Sequence, residues 1–122
     1  METNALPASF TADLLSCRAL PELTAEEVSG IFMGTLSKAG ATIVDVVSHA
    51  FPTTGLTCVL ILRESHAVLH TWPETGTVHI DIFSCSSRLK SLAAIDEVGH
   101  SFGAAHMSVR EIPRTDGHGP VV

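Results

Sequence analysis

Residues 63–85, RESHAVLHTWPETGTVHIDIFSC, bring together a serine beside a glutamate, paired histidines, the chain's single tryptophan and a closing cysteine. His66 and His70 have the spacing that aims two ligands at one metal from the face of a helix. The segment HAVLHTW instead reads as a strand, where four residues span roughly 13 Å. That is too far for both rings to reach one zinc at about 2 Å each. No C-x-x-C pair exists, so no metal site is expected. Ser65, a histidine and Asp81 could build a hydrolytic triad. The G-x-S-x-G elbow and the strand-to-helix turn that expose such a serine are missing. Cys85 closes its strand with the parity of His79 and Asp81, where a buried thiol is usually inert. Taken singly, each residue has a plain structural role: a turn serine, strand histidines with hydrogen-bond partners, core aromatics at Phe51 and Trp72. Their conjunction has no such explanation.

The elements that must position these residues follow from hydropathy period and turn chemistry. SFTADLLS (9–16) alternates, with Phe10, Ala12 and Leu14 on one side. Thr24 and Glu27 form a capping-box pattern ahead of a helix. Val28, Ile31, Phe32, Leu36 and Ala39 then make one apolar stripe, and Gly40 closes it. ATIVDVVSHAF (41–51), LTCVLIL (56–62), HAVLHTW (66–72) and TVHIDIFS (77–84) are rich in β-branched residues and read as strands. The last two are joined by the turn-forming PETG. A second helix is expected over 87–102, with Leu89, Leu92, Ile95 and Phe102 on its apolar side. HMSVREI (106–112) is a final strand. The order is β-α-β-β-β-β-α-β. Short connections make neighbouring strands antiparallel. The expected fold is α+β, a two-layer sandwich of a mainly antiparallel sheet with both helices on one face. The uncovered face needs a partner, so a homodimer is expected.

Composition narrows the function. A chain of 122 residues with 45% hydrophobic residues fits one domain, 1–122. The formal net charge is −6 and Lys and Arg do not cluster, which argues against nucleic-acid binding. The longest strongly apolar run, CVLIL (58–62), has the length of a strand and not of a membrane span. METNALPASF lacks the basic start and apolar run of a secretory signal. Cys17, Cys58 and Cys85 are an odd set that reads as free thiols in a reducing compartment, the cytoplasm. RTDGHGPVV, within 114–122, reads as a flexible tail.

ESHAVLHTWPETGTVHIDIFSC strongly resembles the signature of the prokaryotic, pyruvoyl-dependent S-adenosylmethionine decarboxylase proenzymes, approximately E-S-H-x-x-x-H-T-W-P-E-x-G-x-x-x-x-D-x-F-x-C. Every fixed position is met, from Glu64, Ser65 and His66 through His70, Thr71, Trp72, Pro73, Glu74 and Gly76 to Asp81, Phe83 and Cys85. Looser similarity extends upstream through TADLLSC and GATIVDVVSHAF and downstream to VREIPRTDG, roughly residues 10–117. The resemblance implies a proenzyme that cleaves itself between Glu64 and Ser65, giving a beta chain, 1–64, and an alpha chain, 65–122. Ser65 becomes an N-terminal pyruvoyl group, a covalent cofactor that forms a Schiff base with the substrate amine and takes up the electrons released with carbon dioxide. The product is the aminopropyl donor for spermidine synthesis.

Residue roles carry over by position. His70 matches the base of the elimination step in maturation, and Cys85 matches the group that returns a proton after decarboxylation. Phe51 and Trp72 match aromatics that stack on adenine, and Glu74 matches a carboxylate that binds the ribose hydroxyls. Thr57 stands where many members have a serine that supports processing. Thr75 and Thr77 stand where tyrosines are common, and the usual histidine before the first strand is missing. These departures define two alternatives: a pyruvoyl-dependent decarboxylase of a basic amino acid such as ornithine or arginine, and an unprocessed ligand-binding or regulatory homologue. His70 and Ser65 are five residues apart, on opposite faces of a regular strand. For the two to meet, a bend at residue 65 or a bulge is expected.

Overall fold

The computed structural model of the chain describes residues 7–85 and 89–117. Six strands and two helices follow one another as β1 (Ala8–Leu15), α1 (Ala25–Lys38), β2 (Ile43–Ala50), β3 (Leu56–Leu62), β4 (Ser65–Trp72), β5 (Thr77–Ser84), α2 (Ser91–Phe102) and β6 (His106–Pro113). The strands form one sheet in the order β2-β3-β4-β5-β1-β6, and every neighbouring pair is antiparallel. Element order, sheet and helix count are those expected from the sequence.

Alternation makes the layers. On β3, β4 and β5 the side chains of Leu60, Leu69 and Ile80 are essentially inaccessible, and they face Phe32 of α1 and Phe102 of α2 across the core. Burying each such side chain contributes about 1.5–3 kcal/mol. The alternate residues, among them Val47, Ile61, His70 and Trp72, point to the face without helices. That face keeps a set of exposed apolar side chains, with Val47 58% exposed.

α1 starts at the expected box: Thr24 Oγ1 accepts from the Glu27 N–H at 3.1 Å, and Glu27 Oε1 accepts from the Thr24 N–H at 2.8 Å. Its buried face carries Val28, Phe32, Thr35 and Leu36, while Ile31 and Ala39 are half-buried.

α2 departs from expectation. It begins at Ser91, not 87; residues 86–88 lie outside the described residues. Lys90, at φ −92° and ψ 79°, is not helical, and its N–H donates to the Ala39 carbonyl at 2.9 Å. Leu89 is therefore buried ahead of the helix, and Leu92, expected on the apolar side, is 53% exposed. The buried face instead runs through Ser91, Ala94, Ile95, Val98, Gly99 and Phe102. Its small residues let the helix sit close to the sheet. Of the expected tail, 114–117 is exposed and without regular structure, and 118–122 lies outside the described residues.

The bend or bulge expected near Ser65 is not found. β4 is in unbroken register with β3 from Leu62↔Ser65 to Leu56↔Thr71, and with β5 from His66↔Phe83 to Trp72↔Thr77. The irregularity in the sheet lies on β2, between Ile43 and Asp45.

Candidate active site

One group of site residues sits at the start of β4. Leu62 pairs with Ser65, so Arg63 and Glu64 alone make the turn between β3 and β4. Glu64 has φ +60°. Two-residue hairpins need such backbone and usually fill it with Gly, Asn or Asp. A glutamate held there costs roughly 1–2 kcal/mol. The turn is anchored from outside by the Arg63 N–H, which donates to the Thr42 carbonyl at 3.0 Å. Cys85, one residue beyond β5, reaches both sides of the Glu64–Ser65 bond. Its N–H donates to Ser65 Oγ at 3.3 Å, and its thiol donates to the Glu64 carbonyl oxygen at 2.6 Å. A donor on that oxygen draws electrons from the carbonyl carbon and makes it a better acceptor for a neighbouring hydroxyl. The thiol expected to be inert on parity alone is thus in contact with the Glu64–Ser65 turn.

A second group lies on the helix-free face. Thr57 Oγ1 and His70 Nδ1 are 3.0 Å apart across the β3–β4 pair. The threonine therefore supplies a hydroxyl to His70 although it carries an added methyl. Toward the far end of β4, Trp72, Glu74, Thr75, Thr77 and His79 line a cavity of about 250 Å³. The 73–76 turn is shaped by the Thr75 N–H on the Trp72 carbonyl (3.1 Å) and the Gly76 N–H on the Pro73 carbonyl (3.2 Å). Gly76, at φ +68°, packs against the backbone of Cys17, whose N–H donates to the Gly76 carbonyl at 2.8 Å. Phe51 leaves β2 at this same end of the sheet, since Ala50, Leu56 and Thr71 are in register. The ring of His49 meets it edge-on at 4.8 Å. Gly55 holds the β2–β3 turn against β4; a Cβ there would lie 2.8 Å from the Thr71 carbonyl oxygen.

The structure thus brings Glu64, Ser65 and Cys85 together, and separately Thr57 with His70, and Trp72 with Glu74. It does not bring His70 to Ser65. Five residues of regular strand separate them by roughly 16 Å.

His79 and Asp13 are site neighbours that sequence reasoning passed over. Trp72 Nε1–H donates to His79 Nδ1 at 3.1 Å, and His79 Nε2 lies 3.9 Å from Asp13 Oδ1. Only the cross-strand register, with His70 opposite His79 and Asp13 opposite His79, reveals them. At the Ser65 end of the open face, Phe83 stacks on His66 at 5.7 Å and lies under the Arg114 guanidinium at 5.7 Å.

Among the described residues no group of three or more His, Cys, Asp or Glu side chains is placed to hold a metal, and no helix is long and apolar enough to cross a membrane. The three cysteines are free, and burial pushes the thiols of Cys17 and Cys58 up.

Residues 8–115 match the sequence profile of a family described as S-adenosylmethionine decarboxylase. An S-adenosylmethionine decarboxylase proenzyme of Caldicellulosiruptor saccharolyticus is 32% identical over 111 residues, covering 91% of this chain and 90% of the relative. One from Pelotomaculum thermopropionicum is 35% identical over 89 residues, 73% of this chain and 71% of the relative. The crystal structure of the adenosylmethionine decarboxylase from Aquifex aeolicus has the same fold, with a TM-score of 0.81 at 22% identity, covering 96% of this chain and 98% of that one.

Proposed function

The chain belongs to the S-adenosylmethionine decarboxylase family, and from that premise we propose that it makes its own pyruvoyl cofactor by breaking the Glu64–Ser65 bond. The reaction is decarboxylation of S-adenosylmethionine to the aminopropyl donor used in spermidine synthesis. The observation that carries the proposal is the double contact of Cys85 with the Glu64 carbonyl and the Ser65 hydroxyl. Ser65 Oγ attacks the Glu64 carbonyl carbon, the C–N bond breaks, and the chain is joined through an ester with a free amine on Ser65. Removal of the Ser65 Hα expels the Glu64 carboxylate. Water then replaces the nitrogen at residue 65, which leaves as ammonia. The strained φ of Glu64 favours departure from the starting peptide.

The residues around Ser65 fit the group it would become. A carbonyl at residue 65 supplies the electron sink that decarboxylation needs. Cys85, already at that position, holds a transferable proton. Trp72 and Phe51 offer ring faces to the adenine and the sulfonium charge, and Glu74 offers a carboxylate to the ribose hydroxyls.

The active unit is a homodimer joined through the helix-free faces. Ser65 with Cys85 lies at one end of β4 and Phe51 with Trp72 at the other, too far apart for one nucleoside-sized ligand. A two-fold axis across the strands sets the processing end of one copy over the binding end of the next, so that the partner's His70 serves Ser65. It also buries the exposed apolar side chains. The free thiols suit a cytoplasmic protein.

Intact-mass measurement tests the cofactor: two chains are expected, the second lighter by one ammonia than hydrolysis would leave it. A single uncut chain without carbon dioxide release from carboxyl-labelled S-adenosylmethionine would refute the proposal. Co-expression of Ser65→Ala with His70→Ala tests the dimer. The His70→Ala chain should be cut in the mixture and stay whole alone.

A further inference from the structure

We infer that His79 is a positioning residue that fixes the Trp72 indole in the substrate cavity; the inference rests on the reading of Trp72 as the nucleoside platform. The indole nitrogen is only a donor, so at 3.1 Å from it His79 Nδ1 must be the acceptor. The neutral ring then carries its proton on Nε2. That nitrogen faces the Asp13 carboxylate at 3.9 Å, close enough for attraction and too long for a direct hydrogen bond. The three side chains thus form a relay, Asp13 to His79 to Trp72, that sets both the tautomer of the imidazole and the direction of the indole. The rings meet edge to face, 6.3 Å between centroids at 67°.

The register explains why this pair forms. Trp72 sits opposite Thr77 and His70 opposite His79, so Trp72 and His79 are diagonal neighbours on the open face, within reach of large side chains. The strand beyond β5 contributes Asp13, directly opposite His79. Trp72 is 47% exposed. A side chain with that freedom would sample several rotamers, and the hydrogen bond to His79 selects one. The wall formed by His79 also belongs to the same cavity as Trp72 and Glu74. One neutral hydrogen bond of this kind changes an equilibrium constant by about 2- to 12-fold, the scale on which substrate affinity should respond.

Trp72 is the only tryptophan, so its fluorescence reports on this site alone. The experiment titrates 5′-methylthioadenosine, a nucleoside lacking the amino-acid part, into the processed protein and into His79→Ala, His79→Asn and His79→Gln. It also measures acrylamide quenching without ligand, and kcat and KM with S-adenosylmethionine. The amide oxygen of asparagine falls near the Nδ1 position and can accept from the indole. Glutamine reaches the Nε2 position and leaves the indole unpaired. His79→Ala and His79→Gln are expected to make Trp72 more open to acrylamide and to weaken nucleoside binding about 3- to 10-fold, in KM more than in kcat. His79→Asn should restore most of both. Quenching and affinity equal to the unsubstituted protein in His79→Ala, or no difference between asparagine and glutamine, would overturn the inference while Trp72 keeps its role. No response of Trp72 to the nucleoside in the unsubstituted protein would instead remove Trp72 as the platform, and the inference with it.

Discussion

The Glu64 backbone allows a test in which stability and chemistry move in opposite directions. At φ +60° the residue carries roughly 1–2 kcal/mol of conformational strain. Glycine at 64 removes that strain and adds roughly 0.5–1 kcal/mol of chain entropy lost on folding. In a Ser65→Ala background, where no acyl shift is possible, Glu64→Gly should therefore be more stable than Glu64→Ala by about 0.5–1 kcal/mol. Urea unfolding followed by circular dichroism reads this difference. With Ser65 intact, the strain is released as the carbonyl is attacked, so its removal raises the barrier. At 1.36 kcal/mol per decade, loss of the whole 1–2 kcal/mol slows cleavage about 5- to 30-fold. Alanine is the control, because it lacks the carboxylate and keeps the strain. The assay is the rate of appearance of the 65–122 chain after synthesis, by gel or mass. Glycine and alanine variants cut at equal rates would show that the turn holds the bond in place without straining it.

Further outcomes follow from other contacts. Thr57→Val removes the hydroxyl 3.0 Å from His70 Nδ1. A lost hydrogen bond of about 0.5–1.5 kcal/mol should slow chain cleavage roughly 2- to 12-fold, and Thr57→Ser should cleave at the original rate, both followed by gel time course. Gly55→Ala sets a methyl against the Thr71 carbonyl at φ +96°. It should cost about 1–3 kcal/mol in urea unfolding and weaken nucleoside binding by shifting the turn after Phe51. Burial raises the thiols of Cys17 and Cys58, so they stay protonated in the fold after unfolded thiols have begun to ionise. The stability this represents is complete below about pH 8.5 and falls as pH rises beyond it, measurable as a declining melting temperature between pH 8 and 10. In native protein at pH 8, iodoacetamide should label Cys85 before either.

Much of the frame was legible because local and global signals agree. The Thr24–Glu27 box fixed the start of α1, and the alternation in LTCVLIL and TVHIDIFS set which side chains meet the helices. α2 was misread because hydrophobicity weights leucine over glycine. Leu92 faces solvent, while Ser91, Ala94 and Gly99 form the buried side, where closeness to the sheet matters more than apolar area. The site was legible as composition and not as geometry. Nothing local to Cys85 indicates that its thiol meets the carbonyl of Glu64, 21 positions earlier, because the contact exists only through the β4–β5 register. The same applies to His79, which reads as one of several polar strand residues until Trp72 and Asp13 are placed beside it. The expectation that β4 must bend for His70 to reach Ser65 assumed a single chain. The strand is regular, and the proposed dimer assigns the role of His70 at Ser65 to the second copy instead.

The strand order β2-β3-β4-β5-β1-β6 has a consequence for what a cut at residue 64 does. The first piece would own β1, β2 and β3, and the second β4, β5 and β6. The pieces do not divide the sheet into halves. β1 is threaded between β5 and β6, so the first piece grips the second at three separate ladders: β3 with β4, β5 with β1, and β1 with β6. To part, they would have to unpair all three and split the common core. Such a cut would therefore change the molecularity of refolding and leave the strand pairings in place. The mature protein should hold together on dilution as one body. Once denatured, the cut protomer should regain its fold at a rate that depends on concentration, where the uncut chain would fold each protomer, before any dimer assembles, at a rate that does not.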